Sequence, residues 1–217
     1  MKYELKASHL HSAITGALAA AGNDKMLPAL NAVGFKWTGG GRLEVFATDR
    51  FRAIRTVLNV DAQPGETGED YTPFALSVDD AKDVLRMLKP LKDGLVTVEP
   101  HDGSISVDVW GGKRGLKMED NTSVGQIPDL TSIFAGLKPY KGAYPIAKLN
   151  AAYIAALTKI GADDIAWLIR PMGNHDARTP SNFLATARSK HGFEDDNKWE
   201  YLLMGIRPSA EEIALHD

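Results

Sequence analysis

The strongest constraint on this chain is an internal period: Ser8, Asp79 and Asn150 each read as a helix N-cap, and they stand 71 residues apart both times. After Ser8, the residues Leu10, Ile14, Ala17, Leu18 and Ala21 fall on one helical face. Val84, Leu85, Leu88 and Leu91 do so after Asp79, and Tyr153, Ile154, Leu157 and Ile160 after Asn150, with Gly161 as a stop. Each helix follows a short extended stretch, at 2–7, 73–78 and 144–149. Three more strands follow in each unit: 27–37, 42–47 and 51–60; then 94–99, 104–110 and 114–119; then 165–171, 182–188 and 198–208. Glycines 39 to 41, Asp102-Gly103 and Gly111-Gly112 supply turns.

A β-α-β-β-β unit written three times predicts an α+β fold with helices on one face of antiparallel sheets. Alternation such as Ile105, Val107 and Val109 marks strands with one buried face. The stretches 61–72 and 122–142, rich in Gly, Pro, Asp and Thr, read as linkers, and 191–198 reads as an exposed loop tip.

Composition removes several functions. With no Cys among 217 residues, a disulfide scaffold, a Cys-ligated metal and a thiol nucleophile are excluded, and a reducing, cytoplasmic setting is expected. No run of 18 apolar residues occurs and the start MKYELKASHL has no signal-like apolar stretch, so neither a membrane span nor export is expected. A net charge of −3 means that any contact with DNA is local or topological.

Chemical motifs are few. His9 and His11 lie two apart on a helix and face different directions, which does not suit a metal pair. GNHD at 173–176 lacks the companion carboxylates and histidines of a two-metal site and reads as a turn. GGGR (39–42) and WGGKRG (110–115) lack phosphate-loop spacing and read as hairpin turns. Without a nucleophile elbow as well, no enzyme, metal or cofactor is expected. Lys82, Arg86 and Lys89 form a weak basic stripe opposite the apolar face of the second helix.

One segment resembles a known family. LPALNAVGFKWTGGGRLEVFATDRFRAIRT (27–56) is similar to the middle domain of the bacterial sliding clamp, the beta subunit of DNA polymerase III, including an Ala-Thr-Asp-x-x-Arg motif at Ala47–Arg52. FALSVDDAKDVLRMLKPL (74–91) resembles that domain's second strand and helix. GQIPDLTSIF (125–134) resembles its Gly-x-Phe-Pro-Asp-Tyr connector, and YLLMGIRP (201–208) the clamp's closing strand. On this resemblance, residues 1–138 are one complete clamp-like domain of two units, and 139–217 a C-terminal half-domain, the third unit, with a short tail.

The resemblance implies a processivity factor that encircles duplex DNA as a homo-oligomer and tethers a polymerase or other replication protein by a peptide in a hydrophobic pocket. The pocket residues it implies are Leu30, Thr48, Arg50, Phe51, Arg52 and Ala53, then Pro128, Ser132 and Ile133 from the connector. The closing strand adds Leu202, Leu203, Met204, Gly205, Ile206 and Arg207. Ser132 stands where the family usually has Arg, Gly205 where it has Pro, and Arg50 and Phe51 in a small-residue part of the motif. Family helices line the DNA hole, so Lys82, Arg86, Lys89, Lys92, Lys148 and Lys159 are the implied DNA-facing residues. A third unit without a partner implies self-association: two copies pair to give six units, and four chains supply the twelve of a clamp ring, with a three-chain ring or an open dimer as alternatives. The other functional reading is an adaptor or decoy that binds clamp motifs without encircling DNA.

Overall fold

A computed structural model of the chain describes residues 3–24, 26–38, 41–62, 72–92, 94–101, 104–109, 115–119, 128–138, 149–160, 168–172, 182–188 and 198–204. The first unit contains β1 (Tyr3–Lys6), α1 (Ala7–Ala20), β2 (Ala32–Trp37), β3 (Arg42–Thr48) and β4 (Arg52–Asn59). A two-residue strand, β5 (Asp61–Ala62), follows. The second unit contains β6 (Phe74–Ser77), α2 (Val78–Leu88), β7 (Leu95–His101), β8 (Ser104–Val109) and β9 (Gly115–Glu119). A short helix α3 (Leu130–Ala135) precedes the third unit, of which α4 (Ala151–Ala156), β10 (Leu168–Met172), β11 (Asn182–Arg188) and β12 (Lys198–Met204) are described. The expected strand at 144–149, the GNHD turn and the loop tip lie wholly or mostly outside the described residues.

The 71-residue period survives in a corrected form. Helices start at Ala7, Val78 and Ala151, so the first interval is 71 residues and the second 73. Only Asn150 is the cap expected, its Oδ1 accepting from the Ala152 amide at 2.9 Å. Ser77, not Asp79, caps α2, accepting from the Asp80 amide at 3.1 Å. Asp79 and Asp80 then occupy the first turn, where the helix dipole favours carboxylates. Ser8 lies inside α1, because the Ala7 amide is already taken by the Gly94 carbonyl at 2.8 Å and no side-chain cap is used. The region 122–142 is not wholly a linker: Asp129 caps α3 by accepting from the Thr131 amide.

The units exchange strands. One sheet runs β5-β1-β7-β8-β9 and the other β10-β11-β12-β4-β3-β2-β6, with every described pairing antiparallel. The first strand of each of the first two units therefore joins the other unit's sheet, β1 beside β7 and β6 beside β2. The third unit extends the first unit's sheet through β12 on β4, with Leu202 opposite Ala53 and Tyr201 opposite Ile54.

Alternation along these strands assigns two faces. Val33, Phe35, Trp37, Leu43, Val45, Ile54, Leu58, Phe183, Ala185, Trp199, Tyr201 and Leu203 point inward, and one apolar core joins them to α1, α2 and the β1–β7–β8 side chains. On the outer face Phe46, Ala53 and Leu202 pack under Leu130 and Phe134 of α3. Arg55 fastens this outer layer: its Nε donates to Glu200 Oε2 at 2.5 Å, and its guanidinium lies 4.5 Å from the centre of the Phe134 ring. Burial pushes the Glu44 carboxyl upward, opposed by Arg55, whose Nη1 is 4.0 Å away.

Gly16 is a point of close approach between α1 and the third unit. A Cβ built there would overlap the Trp199 ring and lie 3.2 Å from Cγ2 of Ile160. Glycine inside a helix costs about 0.5–1 kcal/mol relative to alanine. Here that cost lets a large buried indole seat against the helix.

Candidate functional site

A cleft of about 390 Å³ opens where the first and third units meet. One wall is the segment after α1, with Gly22, Asp24, Leu27, Leu30 and Asn31; the other is the β3–β4 turn, Asp49 to Arg52, with Tyr153 of α4. Leu30 sits in a 3-10 turn over Pro28–Leu30 rather than on the expected strand. That turn closes back on the helix end, the Gly22 amide donating to the Leu30 carbonyl at 2.7 Å.

The β3–β4 turn owes its shape to the Thr-Asp pair of the motif. Asp49 Oδ1 accepts from the amides of Phe51 and Arg52, both at 3.0 Å, an Asx-type turn. Thr48 Oγ1 donates to the Arg52 carbonyl at 2.7 Å and accepts from the Arg50 amide at 3.2 Å. These bonds hold Arg50 at φ 81, a left-handed conformation that costs a non-glycine residue roughly 1–2 kcal/mol. The turn presents Phe51 to solvent, 54% exposed, beside the cleft. Its carbonyl accepts from the Met204 amide at 2.8 Å, which ties the turn to the end of β12.

Arg52 joins three segments at the base. Its Nε donates to Asp49 Oδ2 at 2.8 Å, its guanidinium lies 4.8 Å from the centre of the Tyr153 ring, and the Tyr201 hydroxyl is near enough to act on its charge. Burial alone would lower the Arg52 value, but the Tyr201 hydroxyl and the Asp49 charge outweigh it and raise it. Burial likewise pushes the Tyr201 hydroxyl up, against the pull of Arg52. Tyr201 also donates to the Tyr153 carbonyl at 3.3 Å. The cleft floor is therefore cross-linked and charge-compensated, while the Arg50 guanidinium has no partner among the described residues.

The expected pocket residues separate into groups. Leu30, Arg50, Phe51 and Arg52 line the cleft, and Thr48 shapes its turn. Ala53 and Leu202 are buried beneath α3 on the outer sheet face. Pro128 is half-buried, Ser132 and Ile133 are exposed on or beside α3, and Met204 is 43% exposed at the end of β12. Leu203 corrects the expectation: consecutive strand residues face opposite ways, and Leu203 points into the main core with no exposure. It backs the wall and cannot touch a ligand. Gly205, Ile206 and Arg207 lie outside the described residues. Asn31, Asp24 and Tyr153 line the cleft without having been expected; the adjacency of Asn31 to Leu30 was the available signal, whereas Tyr153 read as a core residue of its helix.

The basic stripe is present but compensated. Lys82 Nζ donates to Asp79 Oδ1 at 2.9 Å, and Arg86 pairs with Asp83. Such exposed pairs contribute little to stability, yet they weaken the field the stripe presents. Lys89, Lys92 and Lys159 are exposed, and Lys148 lies outside the described residues. The α1 and α2 surfaces lie side by side, and burial, then the charge of Lys89 just beyond α2, lowers the His11 value. No described helix is long and apolar enough to cross a membrane.

The fold is that of bacterial DNA sliding clamps. The DNA polymerase III beta subunit of Thermotoga maritima superposes with a TM-score of 0.66 over 96% of this chain and 66% of that one, at 15% identity. The sliding clamp of Pseudomonas aeruginosa gives 0.65 over 96% and 67%, at 16% identity. The Bartonella birtlesii clamp, solved bound to griselimycin, gives 0.61 over 95% and 66%, at 13% identity. The chain thus spans about two thirds of the length of these clamps. No family model and no curated protein matches the sequence.

Proposed function

We propose that this chain is a clamp-like tether: a homo-oligomer that surrounds duplex DNA and holds a polymerase or other replication protein by an extended peptide in the cleft beside Phe51. The observation that carries the reading is the coincidence of the sliding-clamp fold with a cleft lined by four residues of the expected pocket. The cleft suits a short apolar peptide. Leu30 and Leu27 offer an apolar wall, Phe51 is an exposed anchor, and Arg50 offers a charge to a flanking carboxylate.

Two apolar anchors contribute about 1.5–3 kcal/mol each when buried, so binding at the micromolar level, roughly −8 kcal/mol, also draws on backbone hydrogen bonds and the Arg50 charge, and ordering costs keep it from being tighter. Such affinity tethers a partner and permits exchange. Phe51→Ala removes an exposed ring without touching the core and is expected to weaken a labelled Leu- and Phe-containing clamp-motif peptide about tenfold in fluorescence anisotropy, about 1.4 kcal/mol. Unchanged affinity in both Phe51→Ala and Leu30→Ser removes the cleft from the reading.

The adaptor reading, peptide binding without encirclement, draws support from the Asp79–Lys82 and Asp83–Arg86 pairs, which leave α2 with a weak field for phosphates. The clamp reading is preferred because topological retention does not require strong phosphate contacts.

A further inference from the structure

The helix α4 carries two apolar stripes. Tyr153, Ala156, Leu157 and Ile160 are spaced i, i+3, i+4, i+7 across the helix and its 3-10 extension, and they pack on or within the main core. Ala151, Ile154 and Ala155, with Thr158, whose hydroxyl is taken up by the Ala155 carbonyl, repeat that spacing on the opposite side and all four are exposed, Ile154 at 40% and therefore not on the buried face where its spacing in the sequence put it. A helix apolar on both sides belongs between two layers. The contrast with α2 is direct, since its exposed face consists of Asp79, Asp80, Lys82, Asp83 and Arg86 with Met87.

The same unit has an open sheet edge. β10 ends the seven-stranded sheet and pairs only with β11 among the described residues, with Leu168 and Ile169 52% and 42% exposed. An apolar edge of this kind is a template for another strand. The fold itself shows twice what covers these surfaces. In the first two units, the strands equivalent to β10 are β2 and β7, and each is covered by the first strand of the other unit. Their helices α1 and α2 pack on each other. The cover in both cases is a second β-α-β-β-β unit, and the exchange is reciprocal, each unit lending its first strand to the other.

We infer that the third unit is covered by the third unit of a second copy of this chain, α4 against α4 and a strand of each copy on the other's β10, about a true two-fold axis. A two-fold covers both surfaces of both copies at once and continues an existing hydrogen-bond ladder. The α4 stripe carries no charge, so pairing it with itself sets no like charges together. The inference rests on the homo-oligomeric reading above and specifies its interface; it requires neither the peptide cleft nor DNA.

Light scattering over a micromolar concentration series tests it, on the protein and on the Ile154→Asp and Leu168→Asp variants. The expected mass is two chains falling to one in the variants, or four falling to two, with unchanged far-ultraviolet circular dichroism. A mass of one chain at every concentration, or a larger mass that neither variant alters, overturns the inference. Because the chain has no Cys, Ala155→Cys gives a second readout independent of variant folding: oxidation should yield a disulfide-linked dimer, and its absence counts against an α4 pair. Peptide affinity separates the two readings. A two-fold dimer that binds no clamp-motif peptide strikes the cleft and leaves the interface, and a peptide-binding monomer strikes the interface together with encirclement and leaves the cleft.

Discussion

Leu203→Asp unfolds this protein instead of selectively abolishing peptide binding. Leu203 has no exposure and sits in the core shared by both helices and the long sheet. Emptying a buried leucine site costs about 2–5 kcal/mol, and an unpaired polar group there adds about 1–3 kcal/mol more. Against a typical domain stability of about 5–15 kcal/mol, little native protein remains at neutral pH. The carboxyl introduced there has a raised folded-state value, so the variant regains stability as pH falls toward the range where it is protonated. Urea titrations at pH 7 and pH 5 measure this, and Met204→Asp is the control: its side chain faces the other way and is 43% exposed, so its midpoint should stay near that of the parent. Equal midpoints for Leu203→Asp and the parent would show that β12 does not lie in the register described.

Gly16→Ala is the second large effect, and its sign runs against helix propensity. In an open helix the change gains about 1 kcal/mol. Here the new methyl group meets the Trp199 ring, so overpacking of about 1–3 kcal/mol dominates and the variant is less stable. Because the collision joins α1 to β12, the damage falls on the seam between the first and third units. A double variant with Trp199→Leu should recover part of the Gly16→Ala loss, measured as a non-additive cycle in urea midpoints. A stabilised Gly16→Ala variant would mean that Trp199 does not lie on α1.

The same two residues show what the sequence makes legible. The three long-period helices and the strand segments follow from periods of 3.6 and 2, which are local, and the described elements other than β5 and α3 fall within a few residues of expectation. The caps were misplaced where tertiary contacts intervene: Gly94 satisfies the start of α1, so Ser8 is not needed there. The helix α3 was hidden inside a Gly- and Pro-rich stretch because its six residues owe their burial to the outer sheet face, with Leu130 and Phe134 packed on Phe46, Ala53 and Leu202. The strand exchange between units and the addition of β12 to β4 depend on contacts far apart in sequence, and no local pattern encodes them.

The cleft was half legible. The Thr48-Asp49 turn chemistry is local and identifies Arg50, Phe51 and Arg52 together. Leu203 was misassigned because a run of apolar strand residues does not reveal which face each one takes until the register is known. The basic stripe on α2 is visible as spacing, but spacing alone does not show that Asp79 and Asp83 pair with Lys82 and Arg86. Those pairs lower the attraction of the helix for phosphate and shift the burden of a DNA function onto topology.

Encirclement is therefore the central claim, and trapping on ligated DNA tests it without any loading protein. The chain is mixed with linear duplex, the ends are ligated in its presence, and the circles are washed at a salt concentration that strips non-topological binders. The account predicts that the protein stays with the circle and is released when a restriction enzyme linearises it. Equal loss from circular and linear DNA under that wash would contradict it and leave the peptide-binding adaptor as the function of this fold.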